Sequence, residues 1–67
     1  SATEDLASAM PPGTRVRHPE FGVGVVLRLG GRGTNRRATI RFEDLAGRTL
    51  LLEYTPDLTV ESGEESW

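Results

Sequence analysis

RVRHPEFGVGVVLRLGG, residues 15–31, is the stretch whose reading decides the fold. Thr14 to Arg17 alternates and predicts a short first strand. Pro19 has no amide to give to a ladder, so a turn belongs at His18–Phe21. Val23 to Leu29 is β-branched and apolar, with Gly24 inside it. Val25, Leu27 and Leu29 share one parity, yet Val26 is apolar on the other. A strand with apolar residues on both faces and an internal glycine is expected to be strongly bent or bulged, as at a barrel corner. The glycine- and asparagine-containing GGRGTN that follows predicts a hairpin tip.

Outward from this stretch the pattern stays short-stranded. RRATIRF, residues 36–42, places Ala38, Ile40 and Phe42 on one face and Arg37, Thr39 and Arg41 on the other. EDLAG is a second tight connection, RTLLLEY a fourth strand, TPDL a turn, and Leu58 to Val60 a short fifth strand. No convincing helix interrupts them. The expectation is an all-β domain over residues 13–60, a small closed or nearly closed five-stranded barrel whose closure removes exposed sheet edges. Residues 1–12, where Ser and Thr can cap a passing helical turn that Pro11-Pro12 ends, read as a flexible acidic linker. Residues 61–67 read as a disordered acidic tail.

At 67 residues the chain holds one small domain with a marginal core. It has no cysteine, which removes disulfides and thiolate metal sites. No run approaches a membrane span and no signal pattern is present, so the expectation is a soluble, cytoplasmic, monomeric protein. The formal charge of −2 hides a sorting of charges. Both ends are acidic, whereas residues 13–60 hold eight arginines, no lysine, and five acids (Glu20, Glu43, Asp44, Glu53 and Asp57).

The catalytic inventory is thin. One histidine and no cysteine exclude Cys-based catalysis and any multi-histidine metal centre. His18 is expected to pack or bond to backbone in its turn. Gly22-Val23-Gly24 and Gly31-Arg32-Gly33 begin phosphate-loop fingerprints without completing them: the chain contains no Gly-Lys-Ser/Thr, and strand follows where a helix is required. Turn and bulge geometry accounts for these glycines. Glu43 and Asp44 as a metal pair would lack further ligands. No enzyme activity, metal or cofactor is expected.

Binding is better supplied. Arg36, Arg37 and Arg41 lie on one hairpin, with Arg28 across it and Arg15 and Arg17 on the first strand. Such a face is either a solvated strand, a dock for an acidic protein surface, or a contact for duplex or single-stranded nucleic acid. The aromatics Phe21, Phe42, Tyr54 and Trp67 are too few for a methyl-lysine cage.

The series GTRVRHPEFGVGVVLRLGGRG…ATIRFEDLAGRTLLLEY resembles the small Tudor-like domain at the C-terminal end of UvrD/PcrA-type superfamily 1 DNA helicases. The matching residues are Gly13 and Val16, then His18, Pro19, Phe21, Gly22, Gly24 and Val26, and then Gly30, Gly31, Gly33, Phe42, Arg48, Leu50 and Leu51. Thr14 stands where that family often has an acid, and related His-Pro-x-Phe-Gly-x-Gly openings occur in CarD- and Mfd-like polymerase-interacting domains. The resemblance implies an SH3-like (Tudor-like) five-stranded barrel, with Phe21 plugging its end and Gly22 and Gly24 letting the second strand bend. It also implies a non-catalytic docking role toward RNA polymerase (β subunit) or another repair protein. No helicase motif occurs in these residues. The outward set Arg17, Arg28, Arg37, Arg41 and Arg48, with Tyr54 as an aromatic anchor, is the expected partner-binding surface; weak DNA or RNA contact through the arginine-rich hairpin is the alternative.

Overall fold

Strand β3 (Arg37–Phe42) follows its alternation strictly: Ala38, Ile40 and Phe42 are buried and Arg37 and Arg41 are exposed. The structure, a computed structural model, describes residues 2–44 and 46–61. Around β3 stand β1 (Arg15–His18), β2 (Gly22–Gly30), β4 (Gly47–Leu51) and β5 (Thr59–Val60). They form one five-stranded antiparallel sheet in the order β4-β3-β2-β1-β5. The protein is therefore mostly β, as its alternation predicts.

The expected bulge is present, displaced from the glycine. Val26 pairs with Ile40 and Arg28 with Thr39, which leaves Leu27 unpaired between them. An unpaired residue shifts the side-chain phase of the strand. Val26 and Leu29, three apart in sequence, thereby come to one side: Val26 is buried and Leu29 packs against the core, while Leu27 is exposed. Gly24 answers a different need. A Cβ there would lie 2.6 Å from Ile40 Cγ2 and 2.7 Å from Phe42 Cδ1, so glycine is what lets β2 approach β3 this closely.

The sheet is not closed into a barrel. Among the described residues no ladder joins β4 to β5. The reason lies in the two end strands: β5 is two residues long and pairs only with β1, and β4 stops at Leu51 rather than running to Tyr54. The Leu52 amide makes a bond to the Arg36 carbonyl (3.0 Å), and then residues Leu52–Tyr54 tighten into a 3-10 turn. Thr55 locks it, its hydroxyl donating to the Leu51 carbonyl (2.7 Å) and its amide to that of Leu52 (3.2 Å). A second such turn, Gly33–Asn35, fills the β2–β3 connection.

The N-terminal segment departs from the linker reading. Residues Ala2–Ser8 form helix α1, which touches both 3-10 turns. Seven residues are too few to hold a helix in isolation, so packing is what sustains it. Ala7 and Met10 are fully buried and join Val16, Val26, Ala38, Ile40, Phe42, Leu52 and Leu58 in one core, with Leu6 against its edge. Glu4 adds a polar tether, accepting from the Gly33 amide (2.8 Å) and facing Arg36 Nε at 3.6 Å. Amides of Ala9 and Met10 bond three residues back to end the helix before Pro11. At the other end Glu61 belongs to the fold, its amide donating to the Arg15 carbonyl (2.8 Å). The remainder of the expected tail, residues 62–67, lies outside the described residues.

Candidate partner-binding face

The alternation that buries one side of the sheet sets the other side toward solvent. Arg15 pairs with Val25 and Val25 with Arg41, so these three residues form a row across β1, β2 and β3. Arg15, Val25 and Arg41 are all exposed. Gly47 extends the row onto β4 without adding a side chain. The surface there dips into an open, mainly apolar groove of about 370 Å³ that also takes in Val23. A second row runs Arg28, Thr39, Thr49 across β2, β3 and β4. The two threonine hydroxyls meet at 3.1 Å. Arg37, opposite Leu51, occupies the next position, and Arg17, opposite Val23 and Thr59, the far end.

Four of the six expected binding residues, Arg17, Arg28, Arg37 and Arg41, thus share one face with Arg15. Their states of pairing differ. Arg17 Nε is held by the Glu61 carboxylate at 2.7 Å. Arg37 Nε donates to the Asn35 carbonyl (3.3 Å), which leaves its terminal nitrogens outward. Among the described residues Arg15, Arg28 and Arg41 form no ion pair. Arg36, grouped with Arg37 by sequence, is half-buried instead: it donates to the Gly31 carbonyl (2.8 Å) and faces Glu4.

Arg48 and Tyr54 stand elsewhere. Arg48 has the parity of Leu50 and pairs with inward-facing Ile40, so it turns toward the core side. Its guanidinium carbon lies 4.3 Å from the centroid of Phe21 and a terminal nitrogen 3.0 Å from Asp44 Oδ2. Tyr54 belongs to the 3-10 turn after β4 and is 77% exposed. Arg15 and Val25 are the members of the face that the expected site omits. The Thr14–Arg17 alternation carried the signal for Arg15, since it puts Arg15 and Arg17 on one side.

The His-Pro turn is built for rigidity. His18 Nδ1 accepts from the amides of Glu20 (3.0 Å) and Phe21 (3.3 Å). Its ring stacks on Phe21 with centroids 4.5 Å apart, and Phe21 tilts onto Phe42 at 5.3 Å. His18 therefore both packs and bonds to backbone, as read from the sequence. Asp44 accepts from the Ala46 amide (3.0 Å) and from Arg48, and these two bonds hold its carboxyl below the usual aspartate value. Among the described residues no group of three His, Cys, Asp or Glu side chains could hold a metal ion, and no helix is long and apolar enough to cross a membrane.

In comparison with known proteins, the chain matches no family model and no curated sequence.

Proposed function

We propose that this chain is a non-catalytic docking module whose outer sheet face receives an acidic, partly apolar protein surface. The Arg15–Val25–Arg41 row carries the reading: two arginines that form no ion pair among the described residues flank an exposed aliphatic side chain over a shallow groove that Glu43 also borders. Arginine suits interface hot spots because its planar fork binds carboxylates bidentately. The motif resemblance refines the proposal to a Tudor-like domain that docks a UvrD/PcrA-type DNA helicase onto the RNA polymerase β subunit in bacterial DNA repair or transcription, in the cytoplasm. The strand order, with β5 returning beside β1 after a 3-10 turn, supports an SH3-like lineage for the open sheet.

The second reading, a nucleic-acid-binding accessory domain, draws on the gathering of five arginines on one face. Among the described residues the face exposes no aromatic ring on which a base could stack, Phe42 bordering the groove while itself buried, and this favours the protein partner.

An NMR titration of the labelled chain with RNA polymerase β-subunit fragments, run beside duplex DNA, tests the proposal. Shifts centred on Arg15, Val25 and Arg41 with the polymerase fragment, and affinity at least about tenfold weaker for Arg41→Glu, are expected. Polymerase affinity unchanged by Arg41→Glu overturns the assignment of this face. DNA binding that falls steeply with salt, without polymerase binding, installs the second reading.

A further inference from the structure

At the opposite end of the same face the sheet is cupped. Arg28, Arg37, Thr39 and Thr49, with Gly30 and Gly31 at the base of the hairpin, line a polar cavity of about 340 Å³ open on one side. Among the described residues no carboxylate lines it. Arg28 lies opposite Thr39 and Arg37 opposite Gly30, so the two arginines are diagonal neighbours on adjacent strands, within joint reach of one ligand. Arg17, Arg36 and Arg48 each meet an acid; Arg28 and Arg37 meet none among the described residues. The Arg37 fork is oriented by its Nε bond to Asn35. The Thr39 and Thr49 hydroxyls share one hydrogen bond, which uses one of their two protons and leaves the other to donate into the cavity.

We infer that this cavity is a binding site for a phosphate monoester, carried on a phosphorylated serine or threonine side chain of a partner protein. Two guanidinium groups match the charge of a monoester dianion, and arginine pairs with phosphate in a bidentate fashion. A hydroxyl completes the set of donors, and a ligand of acceptor oxygens alone leaves none of these donors facing a competing proton. The cavity is large enough for an organic phosphate. Among the described residues it has no aromatic wall for a nucleobase, which selects a phosphorylated side chain over a nucleotide. The site does not depend on the Arg15–Val25–Arg41 row, so either can fail alone.

The test is an NMR titration of the 67-residue chain at constant ionic strength, following backbone amides and arginine Nε–H resonances. The probes are a blocked Gly-phosphoserine-Gly peptide, its unphosphorylated form, inorganic phosphate, and duplex DNA at equal phosphate concentration. Saturable shifts at Arg28, Arg37, Thr39 and Thr49 with the phosphopeptide, at a Kd on the order of 1 mM, are expected, with none from the unphosphorylated peptide. Arg28→Gln and Thr49→Val are each expected to weaken binding about fivefold while keeping the spectral dispersion of the folded chain. Arg41→Glu, outside the cavity lining but only two residues along β3 from Thr39, is expected to weaken binding less than Arg28→Gln does, with the difference shrinking as salt is added. Linear shifts spread over every arginine, or affinity indifferent to Arg28→Gln, overturn the site. DNA binding the cavity as well as the phosphopeptide overturns its assignment to a monoester.

Discussion

Arg48 lies over Phe21, its guanidinium carbon 4.3 Å from the ring centroid. Phe21 in turn stacks on His18 and leans on Phe42. A cation that sequence assigns to partner contact is thus part of the cover over the core. Arg48→Glu is expected to lower the stability of the fold, beyond any effect on a partner. The cation–π contact contributes about 0.5–1 kcal/mol, and a new carboxylate beside Asp44 adds repulsion. Urea denaturation of Arg48→Ala and Arg48→Glu measures both parts; midpoints equal to that of the parent protein would show the contact to be energetically idle.

Asp44 provides a pH signature. Bonds from the Ala46 amide and Arg48 lower its folded pKa. The sign follows from linkage: the contribution is whole above the ordinary aspartate value of about 3.9 and fades as pH falls through the lower folded value. The stability gap between the parent protein and Asp44→Asn should therefore hold near neutrality and narrow below about pH 4. Denaturation curves that stay parallel from pH 6 to pH 2 would contradict it.

Glycines at two strand positions should respond oppositely to a methyl group. At Gly24 an added Cβ meets the fully buried Ile40 and Phe42 at 2.6 and 2.7 Å, and overpacking of this kind costs about 1–3 kcal/mol. At Gly47 nothing among the described residues lies within 4 Å, so alanine is expected to be neutral or to stabilise by up to about 1 kcal/mol through the unfolded chain. Thermal melts of the two variants should move in opposite directions or differ by the Gly24 penalty alone.

Helix α1 is expected to be indispensable. Met10 is 0% exposed, and Met→Ala at such a site costs about 2–5 kcal/mol, a large share of what a small domain possesses. A chain starting at residue 13 should lose the dispersed amide spectrum of the full 67 residues. Retained dispersion in that truncation would make α1 an ornament.

The ordinary strands were legible because period two survives without tertiary context: Ala38, Ile40 and Phe42 declare their face in six residues. Helix α1 was not. It is too short for a helical period to register, and Ala7 and Met10 are core residues only because the folded sheet and its 3-10 turns give them apolar neighbours. The barrel expectation failed for the complementary reason, since nothing in RTLLLEY announces that Thr55 will bond back to Leu51 and turn the chain out of β4. Arg48 was misplaced despite a readable signal, because it has the same parity as the inward Leu50. The Arg36–Arg37 pair was readable only in part: neighbours in a strand face opposite ways, but the attraction of Arg36 to Glu4 required α1 to be in place.

Leu27 pairs with nothing, yet it governs what its neighbours display. With Leu27 drawn into the ladder opposite Thr39, Arg28 would fall opposite Ala38 and enter the interior, and Leu29 would swing out to water. The outward charge at that end of the sheet is thus a matter of parity: one supernumerary residue, whose own side chain is dispensable, keeps odd and even in step from Val26 to Gly30. Substitution at Leu27 should pass almost unnoticed, while a second insertion beside it would invert the strand.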